Sequence, residues 1–334
     1  MKQRIEYIDL AKGLCISLVV LFHIDQQIDI TQTETHLEKA LLYFRMPLYY
    51  FLSGIFFKNY SGFIDFSIRK INKLLIPYVF FFLISYLAGI ICYFLDFYEK
   101  GILLEPFKWS LILEIFTGET ISYNAPIWFL LSLFEVNIIF YIIHILINNK
   151  KYLLLISLTI GIVTLYTIPT IKLPYFIGYT LRYIPFFAIG YYIKDIIISH
   201  NLRLPKKYIL IPLCCFALIY SITYTPEYLN NSPFIYYFTG TIGIAMIMII
   251  SNIMNKLPIF SYIGRYSIII LGFHTFLVRP LKFVFSFFQI PLPCLYIAIF
   301  ICVILLMRFF IIPMSLKLFP YFIAQKDLIH YKKH

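Results

Sequence analysis

Two side chains that can do acid–base and phosphate chemistry, Lys12 and His23, lie eleven positions apart on the first hydrophobic segment. Eleven residues make about three turns of an α-helix, so both side chains fall on one face, roughly 16 Å apart along the axis. If this segment crosses a membrane, a cation lies at one edge and a titratable imidazole lies deep in the same stripe. An ionisable group inside a membrane helix indicates a functional site. A simpler interpretation also stands, in which Lys12 anchors the helix at one interface and His23 reaches the other.

Further charged residues interrupt the later apolar segments. Arg45 lies near the start of the second segment, and Glu135 lies near the middle of the fourth. Unpaired charges in the interior of a helix bundle are unfavourable, and the cations in these segments outnumber the acid. An anionic ligand is therefore expected to complete the charge balance, although each residue taken singly also fits an ordinary structural role. The other members of the set are Arg182, His274, Arg279 and Arg308.

The elements that must position these residues follow from the composition. Of the 334 residues, 61% are hydrophobic, 20% aromatic and 13% charged, and a soluble domain cannot hide so much apolar surface. Hydrophobic runs of spanning length predict an all-α integral membrane protein of about ten transmembrane helices. They recur from end to end, so a single domain over residues 1–334 is expected. The predicted spans are 10–28, 41–57, 74–95, 126–147, 152–169, 175–193, 208–225, 234–254, 266–288 and 293–313.

The basic residues predict the orientation of these helices. With the N-terminus in the cytoplasm, 19 of the 28 basic residues fall in inside segments and four in outside loops. Cytoplasmic loops are enriched in Lys and Arg, so this bias places both termini in the cytoplasm of a multi-pass protein of the inner (plasma) membrane. The same bias explains the net charge of +12. Membrane lipids are therefore expected partners, and nucleic acid is not.

The six cysteines lie in or beside apolar spans. Their spacing matches no metal-binding or redox motif, so no metal and no disulfide framework are expected. We interpret them as small packing residues.

Four blocks of sequence resemble the acyltransferase-3 family of integral membrane proteins. They are Tyr7–Leu14 with the Lys-x10-His spacing, Phe44–Gly54, Ala125–Leu130, and Ile263–Ser267 running on to His274. The first motif of the family is Arg or Lys, ten residues, then His, and this chain has the less common Lys. The blocks extend from the first helix to the ninth. The resemblance implies a stand-alone membrane acyltransferase, without a fused hydrolase-like domain, that acylates extracytoplasmic sugars or related acceptors.

The resemblance also implies an acyl-CoA donor, acetyl-CoA above all, that arrives from the cytoplasm. Lys12 at the inner edge can meet a donor phosphate as a point charge. The pantetheine arm would then run along the first helix and bring the thioester toward His23. Other basic residues on the same predicted side can share the phosphate, namely Arg69, Lys70, Lys73 and Arg265.

His23 is the predicted catalytic group, because histidine transfers protons at neutral pH. It can take the proton of an acceptor hydroxyl, or it can attack first and form a transient acyl-imidazole. The sequence leaves both routes open. Arg45 can stabilise the developing oxyanion or hold an anionic acceptor. Either Asp25 or Glu135 can orient the imidazole.

The predicted function is therefore O-acyl transfer, with acetyl as the expected group, from acyl-CoA to a cell-surface glycan or its lipid-linked precursor. A succinyl transferase is the nearest alternative within the enzyme interpretation. A glycan or lipid transporter or flippase is the alternative from another class, because many helices with buried charges also describe a carrier. The sequence shows no internal repeat of the kind that carriers often have, which favours the enzyme.

Overall fold

The computed structural model describes residues 5–28, 36–97, 107–117, 122–167, 177–199, 203–225, 232–288 and 291–331. Those residues form helices joined by turns, and no strand occurs among them. The helices are α1 (Glu6–Ile28), α2 (His36–Ile55), α3 (Phe63–Lys70), α4 (Ile76–Phe94), α5 (Glu114–Thr117), α6 (Trp128–Leu146), α7 (Lys150–Thr167), α8 (Ile177–Ser199), α9 (Leu210–Ile222), α10 (Pro233–Met254), α11 (Pro258–Arg265), α12 (Ser267–Ser286), α13 (Leu292–Leu306) and α14 (Ile312–Leu318). Two π-helical turns, Ile71–Leu75 and Met307–Ile311, join α3 to α4 and α13 to α14.

Seven helices within the described ranges are long and apolar enough to cross a membrane, which confirms the prediction of an all-α membrane protein. They are Glu6–Gln26, Phe63–Phe94, Asn124–Leu146, Lys150–Thr167, Pro233–Met254, Ser267–Ser286 and Cys294–Leu318. The other three predicted spans correspond to α2, α8 and α9. With 13 residues, α9 is too short, while charged and tyrosine residues make α2 and α8 less apolar. The count of ten helices and the cytoplasmic termini stay predictions, and residues 168–169 and 175–176 of two predicted spans lie outside the described residues.

Two short helices occupy segments that the sequence predicts as loops. Both α3 and α11 contain eight residues. Through its π-helical turn, α3 continues into α4, so that Phe63–Phe94 forms one helix that begins well before the predicted span 74–95. Charged residues such as Asp65 and Arg69 interrupt the apolar pattern of this segment, so the sequence predicts a loop there. Eight residues are also too few to give a recognisable period.

The chain divides into two compact units. The first comprises Met1–Phe57, Ile147–Tyr166 and Arg182–Ser267. The second comprises Lys58–Leu146, Thr167–Leu181 and Ile268–His334. The assignment of residues 1–334 to a single domain stays a prediction.

In the first unit, α1 and α11 approach each other at backbone distance. A Cβ atom on Gly13 would collide with the carbonyl of Phe260, and one on Gly264 would collide with the carbonyl of Asp9. Helices approach this closely only where small residues leave room. The pair of glycines therefore fixes α11 against the N-terminal half of α1.

In the second unit, the segment after α14 packs against the π-helical turn that precedes α4. The side chain of Asn72 is 1% exposed, and its Nδ2 donates to the carbonyl of Ile329 (2.8 Å). Its Oδ1 accepts from the backbone N–H groups of Leu328 (2.7 Å) and Ile329 (2.9 Å). Phe322 stacks on Phe80 with ring centroids 5.3 Å apart. One buried amide and an aromatic pair thus hold the C-terminal segment in place.

Candidate active site

The structure places Lys12 and His23 on one continuous helix, α1. His23 is partly exposed, and its Nδ1 lies 3.2 Å from Oε1 of Gln26. In the tautomer with the hydrogen on Nδ1, that atom donates to the amide oxygen, and the lone pair of the neutral ring is on Nε2. The ring of Phe22 meets the imidazole edge-on, with centroids 5.1 Å apart. In that tautomer Nε2 is the atom of His23 that can take a proton or attack a carbonyl.

Arg45 of α2 contacts the residue that precedes His23. Its guanidinium lies over the ring of Phe22, 3.5 Å from the centroid, and the residue is 8% exposed. The thiol of Cys15 donates to the carbonyl of Arg45 (2.7 Å), which fixes the backbone of α2 against α1. Arg45 and His23 therefore both pack on Phe22.

Lys12 lies in the part of α1 that contacts α11. The hydroxyl of Tyr49 donates to the carbonyl of Lys12 (3.2 Å), and the Lys12 ammonium lies 5.4 Å from the centre of the Phe56 ring. Arg265 is the exposed last residue of α11, and it directly follows the glycine that contacts α1. The structure therefore brings two predicted phosphate ligands, Lys12 and Arg265, to the same α1–α11 contact of the first unit.

The other predicted phosphate ligands, Arg69 and Lys73, belong to the second unit, and each has a carboxylate partner. Nε of Arg69 donates to Oδ1 of Asp65 (2.7 Å). Nζ of Lys73 pairs with Oδ1 of Asp327 (2.8 Å) and donates to the carbonyl of Ala324 (2.9 Å). Neither carboxylate was expected from the sequence. The i, i+4 spacing of Asp65 and Arg69 could have revealed the first pair, whereas no periodicity connects Lys73 to Asp327.

Lys70, from the same basic segment, has a different environment. Its ammonium lies 5.3 Å from the centre of the Phe66 ring, and no ion pair to it occurs among the described residues. Lys70 thus contacts an aromatic ring, whereas Arg69 and Lys73 each pair with a carboxylate.

Glu135 of α6 also belongs to the second unit. Oγ1 of Thr180 donates to its Oε2 (2.5 Å) and lies 2.8 Å from Oγ of Ser132. The carboxylate is thus hydrogen-bonded to a hydroxyl of α8, which in turn contacts the Ser132 hydroxyl on the same helix as Glu135. The role of Glu135 in orienting an imidazole stays a prediction.

A buried amide network in the second unit was not foreseen. Asn124 is fully buried, and its Nδ2 donates to Oγ of Ser85 (2.7 Å) and to the carbonyl of Gly272 (3.2 Å). Its Oδ1 accepts from the hydroxyl of Thr275 (3.0 Å). This network ties α4 and α12 to the turn before Trp128, one of the blocks that carries the family resemblance. A single asparagine in a turn gives no signal in the sequence.

Comparison with known proteins identifies the family of the chain. A family model described as an acyltransferase domain matches residues 5–311, nearly the whole chain. No curated protein and no solved structure matches the chain significantly. The match extends over all four blocks of the resemblance and confirms it. This multi-pass membrane protein belongs to the acyltransferase-3 family.

Proposed function

We propose that the protein is an integral membrane O-acyltransferase. In this proposal an acetyl group passes from cytoplasmic acetyl-CoA to a hydroxyl of an extracytoplasmic glycan or its lipid-linked precursor. Membership of the acyltransferase-3 family supports acyl transfer as the reaction. The observation that carries the proposal is the placement of Lys12 and His23 on one helix, with Arg45 packed beside His23.

The donor's phosphates bind at the α1–α11 contact. Lys12 and the exposed Arg265 offer two cations there, and both ammonium and guanidinium groups bind phosphate. Lys12 and His23 are separated by roughly 16 Å along the helix axis. That distance suits an extended pantetheine arm, so that phosphates at Lys12 leave the thioester near His23.

The chemical step then needs a base and an electrophilic partner. The acceptor hydroxyl gives its proton to Nε2 of His23 as its oxygen attacks the thioester carbonyl. The C–S bond breaks as the tetrahedral intermediate collapses, and the CoA thiolate takes the proton back from the imidazolium. Arg45 is placed to stabilise the oxyanion or to hold the acceptor. Attack by Nε2 itself, through an acyl-imidazole, remains the second route.

Calorimetric titration of the detergent-purified protein with acetyl-CoA tests the donor part. We expect saturable binding by the wild type and binding weakened about tenfold, a loss of about 1.4 kcal/mol, in Lys12→Ala. Lys256→Ala is the matched control, because Lys256 is an exposed lysine of the same unit that pairs with Glu6 (3.0 Å). Equal losses in the two variants would contradict the proposed donor site. Binding of succinyl-CoA in place of acetyl-CoA would change the acyl group, and binding of neither would favour a carrier.

A further inference from the structure

A compact group of polar aromatic side chains lies where α2 begins and α9 ends. The imidazole of His36, the first residue of α2, stacks on the ring of Tyr224, with centroids 3.7 Å apart and planes at 16°. The ring of Tyr220 meets both rings edge-on, with centroids 6.5 Å from His36 and 5.5 Å from Tyr224. The hydroxyls of the two tyrosines lie 3.0 Å apart and share a hydrogen bond. Tyr224 is therefore held on one face by His36 and at its hydroxyl by Tyr220.

The hydrogen bonds of Thr223 fix the imidazole. Thr223 is buried, and its hydroxyl donates to the carbonyl of Tyr220 (2.6 Å). The same hydroxyl oxygen lies 3.0 Å from Nδ1 of His36. Because the single hydrogen of the hydroxyl goes to the carbonyl, we assign Nδ1 as the donor to Thr223 and the lone pair of the neutral ring to Nε2. We name this group the histidine–tyrosine platform; its members are His36, Tyr220, Thr223 and Tyr224.

The platform lies at the end of the first unit that is opposite to Lys12. Helices α1 and α2 are antiparallel, because Lys12 contacts Phe56, whereas Phe22, ten residues later, contacts Arg45. His36 precedes Arg45 by nine positions, so it lies roughly 14 Å further along α2, beyond the level of Phe22. These residues all belong to the first unit. The charge bias of the sequence predicts that this end is extracytoplasmic.

The outer face of Tyr224 suits a sugar ring. Tyr224 is 60% exposed, although His36 covers one face of its ring. The C–H face of a pyranose packs on an aromatic ring, and its hydroxyls find partners in the tyrosine hydroxyls and in Nε2 of His36. A tyrosine of an interfacial belt acts through its depth in the membrane alone. This ring is instead fixed by a stack and a hydrogen bond, so that little conformational freedom is lost when a ligand binds.

We propose that the histidine–tyrosine platform binds a sugar ring of the acceptor other than the one that is acylated, so that the acceptor is a glycan chain of several units. This inference rests on the proposed function, because it extends the acceptor side of the same site. The platform lies roughly 14 Å along α2 from Arg45, which packs beside His23, and a single sugar unit cannot occupy both positions. The donor does not reach the platform, because its phosphates bind at Lys12, on the other side of His23.

The test compares two lengths of one glycan on the detergent-purified full chain. The long probe is a fragment of several sugars from the surface glycan of the cells in which the protein occurs, and the short probe is a single sugar of the same glycan. Both carry a fluorescent label at the reducing end, and fluorescence anisotropy measures their dissociation constants. We expect the long probe to bind the wild type at least about tenfold more tightly than the short probe. Equal affinities of the two lengths, or no binding of either, would overturn the proposal.

Variants locate the length preference at the platform. In Tyr224→Ala the affinity for the long probe should fall about tenfold, whereas the short probe should bind as it does to the wild type. Tyr224→Phe keeps the ring, so its loss should be less than about threefold. The control is Tyr208→Ala, since Tyr208 is an exposed tyrosine of the same unit that lies before α9.

Two results with these variants would refute the inference. The first is an affinity of Tyr224→Ala for the long probe that equals that of the wild type. The second is a loss in Tyr224→Ala that is the same for both lengths, or that Tyr208→Ala reproduces, because a structural or interfacial role of the tyrosine does not depend on the length of the glycan.

Transfer of labelled acetyl to the long probe separates this inference from the proposed function. Tyr224→Ala should raise the KM for the long probe and leave kcat unchanged, because Tyr224 does not touch the reacting atoms. If acetyl is transferred and Tyr224→Ala binds both lengths as the wild type does, the platform inference alone fails. If the long probe binds through Tyr224 and no acetyl is transferred to it, the proposed function alone fails.

Discussion

Two basic regions of this molecule compensate their charges in different ways. At the start of the second unit, Arg69 pairs with Asp65 and Lys73 pairs with Asp327. In the first unit, Arg45 lies against the ring of Phe22. The first pair of cations is about half exposed, whereas Arg45 is buried. Arg45, the cation that is more costly to bury, is therefore the one whose charge the protein compensates less.

The difference indicates two roles for positive charge in one chain. A cation that has its own carboxylate fastens one segment of the protein to another, as Lys73 does for the C-terminal segment. A buried cation that packs on a ring face, and that forms no ion pair with a carboxylate of the described residues, is poised for a ligand's charge. By this criterion Arg45 is a better candidate for the site than Arg69 and Lys73, whose assignment to the donor phosphate needs a direct test.

The largest effect should come from removing the charge of Arg45. In Arg45→Gln we expect acyl transfer per folded molecule to fall about 10²-fold, because the proposed contact of the buried guanidinium with the oxyanion or the acceptor is lost. Arg69→Gln is the matched control, since its partner is Asp65, and it should keep most of the transfer activity. Transfer in membranes, normalised to folded protein, measures both. Equal losses of transfer activity in Arg45→Gln and Arg69→Gln would contradict the difference in role between the two basic regions.

Asn72 should matter for stability more than for chemistry. Asn72→Ala removes a buried amide that satisfies backbone groups of Leu328 and Ile329, so we expect a loss of about 2–3 kcal/mol in the free energy of unfolding. Denaturant unfolding in detergent measures it. Asn72→Asp keeps the side-chain acceptor and loses the N–H donors. Its free energy of unfolding should therefore lie between those of the wild type and Asn72→Ala. An unchanged midpoint in Asn72→Ala would show that the C-terminal segment is not fastened as described.

A smaller effect is expected for Lys73, whose ion pair with Asp327 is partly exposed. Lys73→Gln should lower the free energy of unfolding by less than about 1 kcal/mol. Its affinity for acetyl-CoA should change less than about twofold, against about tenfold for Lys12→Ala. Calorimetric titration of both variants with acetyl-CoA measures this difference in affinity. A loss of acetyl-CoA affinity in Lys73→Gln as large as that in Lys12→Ala would indicate that Lys73 also binds the donor.

The smallest effect should come from the surface pair of Lys150 and Asp195 (2.5 Å). The hydrogen bond from Lys150 lowers the pKa of the Asp195 carboxyl. A carboxyl whose pKa is lowered by folding stabilises the protein above its unfolded pKa, near ~3.9, and loses this contribution as the pH falls through the folded value. Asp195→Asn should therefore unfold at a slightly lower temperature than the wild type at pH 7. That difference should vanish in strongly acidic buffer, and a difference that grew on acidification would contradict the assignment.

Much of the site on α1 could be predicted from the sequence. Lys12 and His23 share a helix because eleven positions fit its period and the intervening residues are apolar. Arg45 could be placed near His23 because only a short loop separates the two helices. Such local relations survive folding, since helix geometry and loop length fix them before any tertiary contact forms.

Other features depend on contacts that no local pattern encodes. The pairing of Lys73 with Asp327 and the docking of α11 on α1 join residues far apart in the chain. Eight-residue helices such as α3 and α11 carry too few residues for a periodic signal. The charges in these segments therefore suggested solvated loops and open phosphate ligands, where the structure has short helices and, at Arg69 and Lys73, ion pairs.

The most direct test of the central claim is the transfer of labelled acetyl from acetyl-CoA to envelope glycans by vesicles that contain the protein. We expect transfer by the wild type. In His23→Gln we expect a fall of about 10³-fold with acetyl-CoA binding retained, because in the proposed mechanism Nε2 of His23 takes the acceptor's proton. Full transfer by folded His23→Gln would contradict the account, and so would a wild type that binds acetyl-CoA and transfers nothing.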